Sequence, residues 1–222
     1  MFEQPLRVFA PHYCCSCGLI GAILCQSCKY DIESEGYEQC LVCQAPCRGG
    51  EALCHAHILP YSRAWCVGER SDALRLLIDS YKFERAKSAH HALASLLDAT
   101  LPVLPPDVVV VPVPTIRPHI RRRGFDHTAL VAREFARLRS LTYLHAIERT
   151  TSSSQLGKGR RDRRNQAKRA FSCPKLVSNS TYLLVDDIFT TGATIEFAAK
   201  VLKDAGAREV WVALVARQPL EK

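Results

Sequence analysis

The fold is decided by one stretch, Tyr182-Leu-Leu-Val-Asp-Asp-Ile-Phe-Thr-Thr-Gly-Ala-Thr194. Its apolar start, 182–185, predicts a buried strand, and the adjacent acids Asp186 and Asp187 follow where that strand would end. A turn of small and hydroxyl-bearing residues comes next. Apolar residues at helical spacing then predict a helix, which Gly206 would terminate. The stretch is therefore typical of a strand–turn–helix unit in an open α/β sheet.

The residue types of this unit suit a phosphorylated sugar. Backbone N–H groups of the turn and the positive end of the helix can hold a phosphate. The two carboxylates can accept hydrogen bonds from two vicinal hydroxyls, or hold a metal ion. The alternative is an ordinary turn with two solvated aspartates. Generic turns rarely combine an acid pair with so many hydroxyls, so we favour the phosphate site.

Length and composition indicate a globular protein with one sizeable α/β core and a small additional module, since the chain has 222 residues. Hydrophobic residues make up 47% and charged residues 23% of the chain. No apolar run approaches the roughly 20 residues that span a bilayer, so we expect no membrane insertion. The first residues lack the pattern of a signal peptide, and we therefore expect a cytoplasmic location.

Positive charge is concentrated in one segment. The chain carries a net charge of +8, and residues 158–169 contain seven basic residues and one acidic residue. Such local charge favours an anionic ligand or partner, either a polyphosphate or a nucleic acid backbone. The surrounding segment, 149–166, is long and polar, which is typical of a functional loop. A solvated basic loop without chemistry is the alternative.

Cysteines at paired spacing occupy the first quarter of the chain. A Cys-x-x-Cys pair supplies two thiolates at one corner of a tetrahedral zinc site, and a second pair closes it. Two such sites are predicted, from Cys14, Cys17, Cys25 and Cys28, and from Cys40, Cys43, Cys54 and His57.

Three alternatives to this assignment stay open. Disulfides are disfavoured because a chain without a secretion signal is expected to keep its thiols reduced. Cys47 or His55 could replace a ligand of the second site, and the pairs could close in a crossed arrangement. Few apolar residues separate the pairs, so metal is expected to supply the folding energy of residues 1–59. We predict a double zinc ribbon at 1–59, with a structural or docking role, and an α/β domain at 60–222.

Further signals place cations near the predicted site. The run Asp107–Val111 predicts a central parallel strand, and Arg121-Arg122-Arg123-Gly124 follows beyond its carboxyl end, where open α/β sheets bind ligands. A predicted helix that begins at Ser71 ends with Lys82, an isolated cation between two aromatic residues. The apolar run 209–216 predicts a last strand, which completes a strand–helix–strand unit.

The opening stretch resembles the phosphoribosyl pyrophosphate (PRPP) motif of type I phosphoribosyltransferases. The resemblance implies that Asp186 and Asp187 bind the ribose hydroxyls and that Mg²⁺ accompanies PRPP. It also implies that the turn wraps the 5′-phosphate, through Thr190, Thr191, Gly192, Ala193 and Thr194. Purine-salvage members carry an acidic base at the position of Thr190, and its absence argues against a 6-oxopurine substrate.

A wider set of motifs is similar to the ComF/GntX family. It comprises Val-Pro-Val-Pro at 111–114, Arg-Arg-Gly-Phe at 122–125, Arg149 with Gln155, Arg164-Asn165, Phe171, and the acid pair with its turn. The family has N-terminal zinc ribbons, and its ComF branch is associated with DNA uptake during natural transformation. This chain departs from the family pattern in two places: Asp126-His127 replaces Asn-Gln, and Gln44 replaces a glycine.

The family implies a type I phosphoribosyltransferase-like parallel sheet flanked by helices, with a small N-terminal zinc-ribbon module. As an enzyme, it would displace pyrophosphate from the ribose C1 carbon, with Asp186, Asp187 and Arg164 as catalytic residues. Lys82, Arg121 and Arg123 would bind PRPP together with the turn. The acceptor is not readable from the sequence.

Two non-catalytic alternatives stay open. The chain could be a PRPP sensor, or a single-stranded-DNA-binding accessory protein that works with a competence helicase. In the second case Arg121–Arg123 and the basic segment would contact phosphates, and Phe125 and Phe171 are the aromatic residues expected nearby. A PRPP-responsive transcription factor is disfavoured, because no helix-turn-helix pattern precedes the domain.

Overall fold

The computed structural model describes residues 12–84, 86–149, 171–174 and 179–219. The basic segment 158–169, with Arg164, and the motif residue Gln155 lie outside these residues. Predictions about that segment are therefore not addressed by the fold.

The described chain contains six helices and seven strands. The helices are α1 Gln26–Glu35, α2 Asp72–Phe83, α3 Ala89–Thr100, α4 Arg117–Arg123, α5 His127–Leu138 and α6 Ala193–Asp204. The strands are β1 Arg63–Glu69, β2 Val109–Pro112, β3 Thr142–Tyr143, β4 Glu148–Arg149, β5 Phe171–Ser172, β6 Thr181–Phe189 and β7 Glu209–Arg217.

Five strands form one parallel sheet in the order β1-β7-β6-β2-β3. Strand β2 is buried along its whole length, as expected for a central strand covered on both faces. Strands β4 and β5 form a separate antiparallel pair. The predicted fold class, a parallel sheet flanked by helices, is confirmed.

Strand β6 supplies both faces of the core because its side chains alternate. Leu183 and Val185 belong to one apolar cluster, and Tyr182 and Leu184 belong to the other. Helices α2, α3 and α5 cover the first face, whereas α6 covers the second. None of the helices in the described ranges is long and apolar enough to cross a membrane.

The acid pair lies inside β6 rather than after it, which differs from the sequence prediction. Pairing with β7 continues beyond the acids, through Asp186 opposite Leu214 and Phe189 opposite Arg217. The sequence did not indicate this extension, because two adjacent acids resemble the end of an apolar strand. As a result, the strand backbone fixes both carboxyl groups.

The N-terminal segment straddles β1, the edge strand of the sheet. Cys14, Cys28 and Ile32 pack into the apolar cluster on one face. Tyr37, Leu41 and Ala52 pack into the cluster on the other face. The backbone N–H of Ala52 also donates to the Ala64 carbonyl of β1, 2.7 Å away. The segment thus covers an edge that would otherwise expose unpaired backbone groups. A domain boundary near residue 59 stays a prediction.

Candidate functional site

The acid pair faces an open cavity of about 240 Å³ at the carboxyl end of the sheet. Open parallel sheets bind ligands at this end. The cavity is lined by Lys82, Val113, Pro114, Thr115, Ile116, His119, Arg123, His127, Thr128, Arg149, Asp186, Asp187 and Thr194. A larger cleft, of about 390 Å³, lies next to Leu104 and Leu141, at the amino ends of β2 and β3. Its charged lining residues are Asp98 and Arg139, which pair with each other.

Asp187 is held by two basic side chains from different elements. Its Oδ2 atom lies 2.6 Å from Lys82 Nζ, at the end of α2, and 2.6 Å from His127 Nε2, at the start of α5. The Asp187 and Lys82 side chains are about nine-tenths buried. Burial alone would raise the pKa of Asp187, but the contacts with His127 and Lys82 outweigh it and hold that pKa below its usual range.

A neighbouring arginine orients the imidazole of His127. Arg123 Nη1 lies 2.8 Å from His127 Nδ1, and Arg123 is only 7% exposed. The same Arg123 atom lies 3.1 Å from His127 Nε2. His127 Nε2 in turn faces Asp187 Oδ2 at 2.6 Å, so Arg123 and Asp187 together fix the position of the ring. The hydroxyl of Tyr81 fixes the start of α5 by donating to the His127 carbonyl, 2.8 Å away.

Asp186 has the opposite electrostatic environment. Burial, together with the neighbouring charge of Asp187, raises its pKa to about 8. Its Oδ1 accepts the backbone N–H of Asp187 at 2.9 Å. Arg149 also lines the cavity, and burial lowers its pKa. The Nε of Arg149 is buried without a hydrogen-bond partner among the described residues. Asp186 therefore differs from Asp187 in its charge state although the two are adjacent.

The glycine of the turn makes a close contact that requires the absence of a side chain. Gly192 has a φ of 79°, in the left-handed region. A Cβ at this position would lie 2.6 Å from Cζ of Phe189. Thr190, Thr191 and Thr194 are exposed around it, so their hydroxyls can reach a ligand. The turn leads directly into α6, whose N-terminus can stabilise an anion.

A buried arginine connects this turn to the N-terminal segment. Arg217, at the end of β7, is 3% exposed, and its guanidinium carbon lies 5.2 Å from the centre of the Phe189 ring. Arg217 Nε donates to the carbonyl of Leu41, 3.2 Å away. Leu41 follows Cys40 directly, so one side chain contacts both the aromatic ring next to Gly192 and the residue adjacent to a ligand of the second cysteine cluster.

The structure places five of the predicted PRPP-binding residues around the cavity, whereas Thr190, Thr191, Gly192 and Ala193 are not among its lining residues. Lys82, Arg123, Thr194 and the two acids line it. Arg121 does not line it and is exposed on α4. The run of arginines forms this short helix, and Gly124, at a φ of 84°, ends it. The sequence analysis predicted no helix there.

Three titratable or cationic residues of the lining were not assigned to the site from the sequence: His119, His127 and Arg149. A signal existed for His127, because it belongs to one of the two departures from the family pattern. No local pattern indicated His119. Its pKa is lowered by burial and by the nearby arginines. Arg149 was noted as a motif residue but was not assigned to the site.

The predicted cysteine sets come together in space. In each set, one possible ligand atom from every residue lies within 4.8 Å of the others. The sets are Cys14, Cys17, Cys25 and Cys28, and Cys40, Cys43, Cys54 and His57. The two groups are those of the sequential arrangement. The two candidate replacements stay outside, since His55 is exposed and Cys47 Sγ contacts the Ala45 carbonyl.

The chemistry of both clusters is compatible with structural zinc. Four soft donors at tetrahedral spacing match its preference. No disulfide joins the cysteines in the described ranges. His57 Nε2 is buried without a hydrogen-bond partner there, which a metal ion would satisfy. Burial would raise the pKa of Cys14 and Cys40, but backbone N–H groups outweigh it and lower each to about 6, which favours thiolates.

A third group, His90, His91 and Glu134, also brings potential ligands together. Its carboxylate is already engaged, because Glu134 pairs with Arg137 at 2.8 Å and with His91 at 2.9 Å. The hydrogen bonds from Arg137 lower the pKa of Glu134 to about 2. These contacts account for the group as a surface ion pair.

Comparison with known proteins finds relatives over most of the chain. The model of the phosphoribosyl transferase domain matches residues 120–222. Competence protein F of Haemophilus influenzae is 29% identical over 210 residues, covering 87% of this chain and 90% of that protein. Competence protein ComFC of Streptococcus pneumoniae is 27% identical, covering 83% of this chain and 78% of that protein. The chain is therefore similar to ComF-type proteins over most of its length.

A further relative of this chain bears a different name. The DNA utilization protein YhgH of Escherichia coli K12 is 28% identical over 220 residues, covering 85% of this chain and 94% of that protein. These matches extend well beyond the phosphoribosyl transferase domain. The shared region therefore also includes much of the chain before residue 120.

Proposed function

We propose that this chain binds PRPP together with Mg²⁺ and acts in DNA uptake during natural transformation. The observation that carries the proposal is the placement of the acid pair beside the Gly192 turn, at the carboxyl end of a parallel sheet. The names of the relatives support the biological role. Reduced cysteine clusters are expected in the cytoplasm, and we place the protein there.

The cavity divides into parts that suit different portions of PRPP. Asp186 and Asp187 would accept hydrogen bonds from the ribose hydroxyls, and the turn 190–194 would hold the 5′-phosphate. Lys82 and Arg123 would face the pyrophosphate, where buried cations neutralise negative charge most effectively. Mg²⁺ would supply further neutralisation of the pyrophosphate oxygens. Arg121, which does not line the cavity, and Arg164, which lies outside the described residues, are proposed to assist.

A phosphoribosyl transfer activity follows from this arrangement. Loss of pyrophosphate from C1 creates positive charge on the sugar, and the adjacent carboxyls would stabilise it. His127 would act as a positioning residue, because it touches Asp187 and fixes the orientation of that carboxylate.

The second candidate is PRPP sensing without transfer, and one observation favours it. Lys82 and His127 already occupy the Asp187 carboxylate, so a ligand must replace or rearrange these contacts. Such an exchange could signal occupancy to a partner. Single-stranded DNA and a competence helicase are the partners that we propose.

We propose that both cysteine clusters hold zinc and brace the sheet edge. The clusters pack against opposite faces of the sheet, which fits a structural role. Metal binding would then stabilise the α/β domain as well as the N-terminal segment.

Calorimetry with PRPP and Mg²⁺ tests the function. We expect Asp186→Asn combined with Asp187→Asn to weaken PRPP binding by about 2–4 kcal/mol, since one contact to the ionised Asp187 and one to the protonated Asp186 are lost. Asp204→Asn, an exposed substitution at the far end of α6, is the control and should leave the affinity unchanged. Equal affinity in the double variant and the wild type would contradict the proposed site.

A panel of nitrogen-containing bases separates transfer from sensing. Release of pyrophosphate with one of these bases supports the enzyme. Binding of PRPP without release across the panel supports the sensor.

A further inference from the structure

The end of helix α2 reverses the usual arrangement of polar and apolar side chains. Lys82 points inward, and its side chain is only 10% exposed. The next residue, Phe83, is 60% exposed. Among the described residues it is the only phenylalanine with such exposure. The inward orientation of Lys82 is explained by its ion pair with Asp187, and it leaves the ring of Phe83 exposed beside a residue that lines the cavity.

Two guanidinium groups lie near the ring of Phe83. The guanidinium carbons of Arg122 and Arg123 are 5.9 Å and 5.8 Å from the ring centre. Arg123 also lines the cavity that contains the acid pair, as does Lys82. Phe83 therefore lies at the rim of that cavity, because it follows Lys82 in sequence and its ring is close to Arg123.

The two aromatic residues that the sequence placed near the basic segment, Phe125 and Phe171, are not available for stacking. Phe125 packs against the buried ring of Tyr81, with 5.3 Å between the ring centres. Phe171 is 8% exposed and lies beneath the guanidinium of Arg149. Both rings therefore pack against other side chains of the protein. Phe83 is the ring in this region that offers a surface to solvent.

We propose that Phe83, together with the guanidinium of Arg122, forms a stacking site for an unpaired nucleobase. An aromatic face binds any base, and an arginine plane can extend the stack. The exposed arginines Arg117 and Arg121 on the same short helix α4 supply positive charge for the adjoining phosphates. A peptide ligand would not need this combination of a planar surface and clustered cations.

The base has two possible sources, a single-stranded DNA or a free base. Either would be held at the rim of the cavity that we assign to PRPP. The inference rests on the proposed function only for this placement. A free base there would be a candidate acceptor, whereas a strand would be held by its phosphates as well.

The test compares Phe83→Leu with Tyr30→Leu. Tyr30 is 66% exposed on α1, and it is not among the residues that line the cavity. The probes are a fluorescent twelve-nucleotide thymidine strand, an abasic strand with the same number of phosphates, and free adenine. We expect Phe83→Leu to weaken binding of the thymidine strand on the order of tenfold, and to leave the abasic strand unaffected. Tyr30→Leu should bind all three probes as the wild type does.

The dependence on salt provides a second readout. Phe83→Leu should keep the wild-type slope of affinity against salt, because no phosphate contact is lost. Arg121→Ala should reduce that slope by about 0.7. Phe83→Trp should retain strand binding, and its added fluorescence should be quenched by the bound base.

The results assign the source and decide the inference. A loss with the thymidine strand in Phe83→Leu indicates DNA, and a loss with free adenine indicates a small acceptor. Wild-type affinity of Phe83→Leu for every probe overturns the stacking site, even when PRPP binds. Failure of the wild type to bind PRPP contradicts the proposed function instead, since strand binding is measured without PRPP.

Discussion

At the residue scale, two adjacent aspartates differ because each meets different neighbours. Asp187 meets Lys82 and His127 at 2.6 Å, which favours its ionised form. Asp186 is buried next to the negative charge of Asp187, and both effects favour its protonated form. Adjacent residues of a strand point to opposite sides, so one carboxyl reaches the cations and the other does not.

The raised pKa of Asp186 makes stability depend on pH. The folded chain holds a proton up to about pH 8, whereas an unfolded aspartate loses it near pH 4. The free energy of unfolding contributed by this group therefore falls as pH rises through that interval. Asparagine cannot ionise, so the variant Asp186→Asn lacks this loss of stability. We therefore expect the free energy of unfolding of Asp186→Asn, minus that of the wild type, to increase by about 1–3 kcal/mol between pH 6 and pH 9.

Urea unfolding at the two pH values measures this difference. The exposed residue Asp204 serves as a control, since Asp204→Asn should show no such change. A constant difference between Asp186→Asn and the wild type at both pH values would mean that Asp186 is ionised throughout.

At the element scale, the turn before α6 depends on the contact between Gly192 and Phe189. Gly192 and Gly206 both have positive φ, but only Gly192 has an atom close to the position of a Cβ. We expect Gly206→Ala to cost about 1–2 kcal/mol from backbone strain. Gly192→Ala should cost about 1–3 kcal/mol more, because the added methyl group must displace the ring.

Unfolding measurements on both variants separate strain from crowding. PRPP affinity should fall in Gly192→Ala and remain at the wild-type level in Gly206→Ala. Equal stability of the two variants would show that the Phe189 ring moves aside at no cost.

The elements differ in how far the sequence could predict them. The strand and helix around the acid pair were predictable from local spacing, as was the grouping of the cysteines. The convergence of Lys82, His127 and Asp187 was not, because these residues come from three distant elements. The inward orientation of Lys82 and the exposure of Phe83 also follow from tertiary packing, which no periodic pattern encodes.

At the scale of the whole molecule, the N-terminal segment holds both faces of the sheet at its edge. We expect the purified protein to contain two zinc ions. The exposed ligands Cys17 and Cys43 occupy equivalent positions in the two clusters, so they give matched variants. Cys17→Ser and Cys43→Ser should each retain about one zinc ion and unfold at a lower temperature than the wild type.

Elemental analysis and thermal unfolding check both expectations. Cys66→Ser tests a cysteine outside the clusters and should retain both ions. Less than one zinc ion in the reduced wild-type protein would contradict the metal assignment.

The contacts of Arg217 give the second cluster an energetic connection to the phosphate turn. One side chain touches both Leu41 and Phe189, so ordering either end favours the other. Coupling of this kind is reciprocal: any factor by which zinc tightens PRPP binding is the factor by which PRPP tightens zinc binding. PRPP should therefore slow the removal of one of the two zinc ions by a chelator. Arg217→Met should abolish that protection, and Arg208→Met, at the other end of β7, should preserve it.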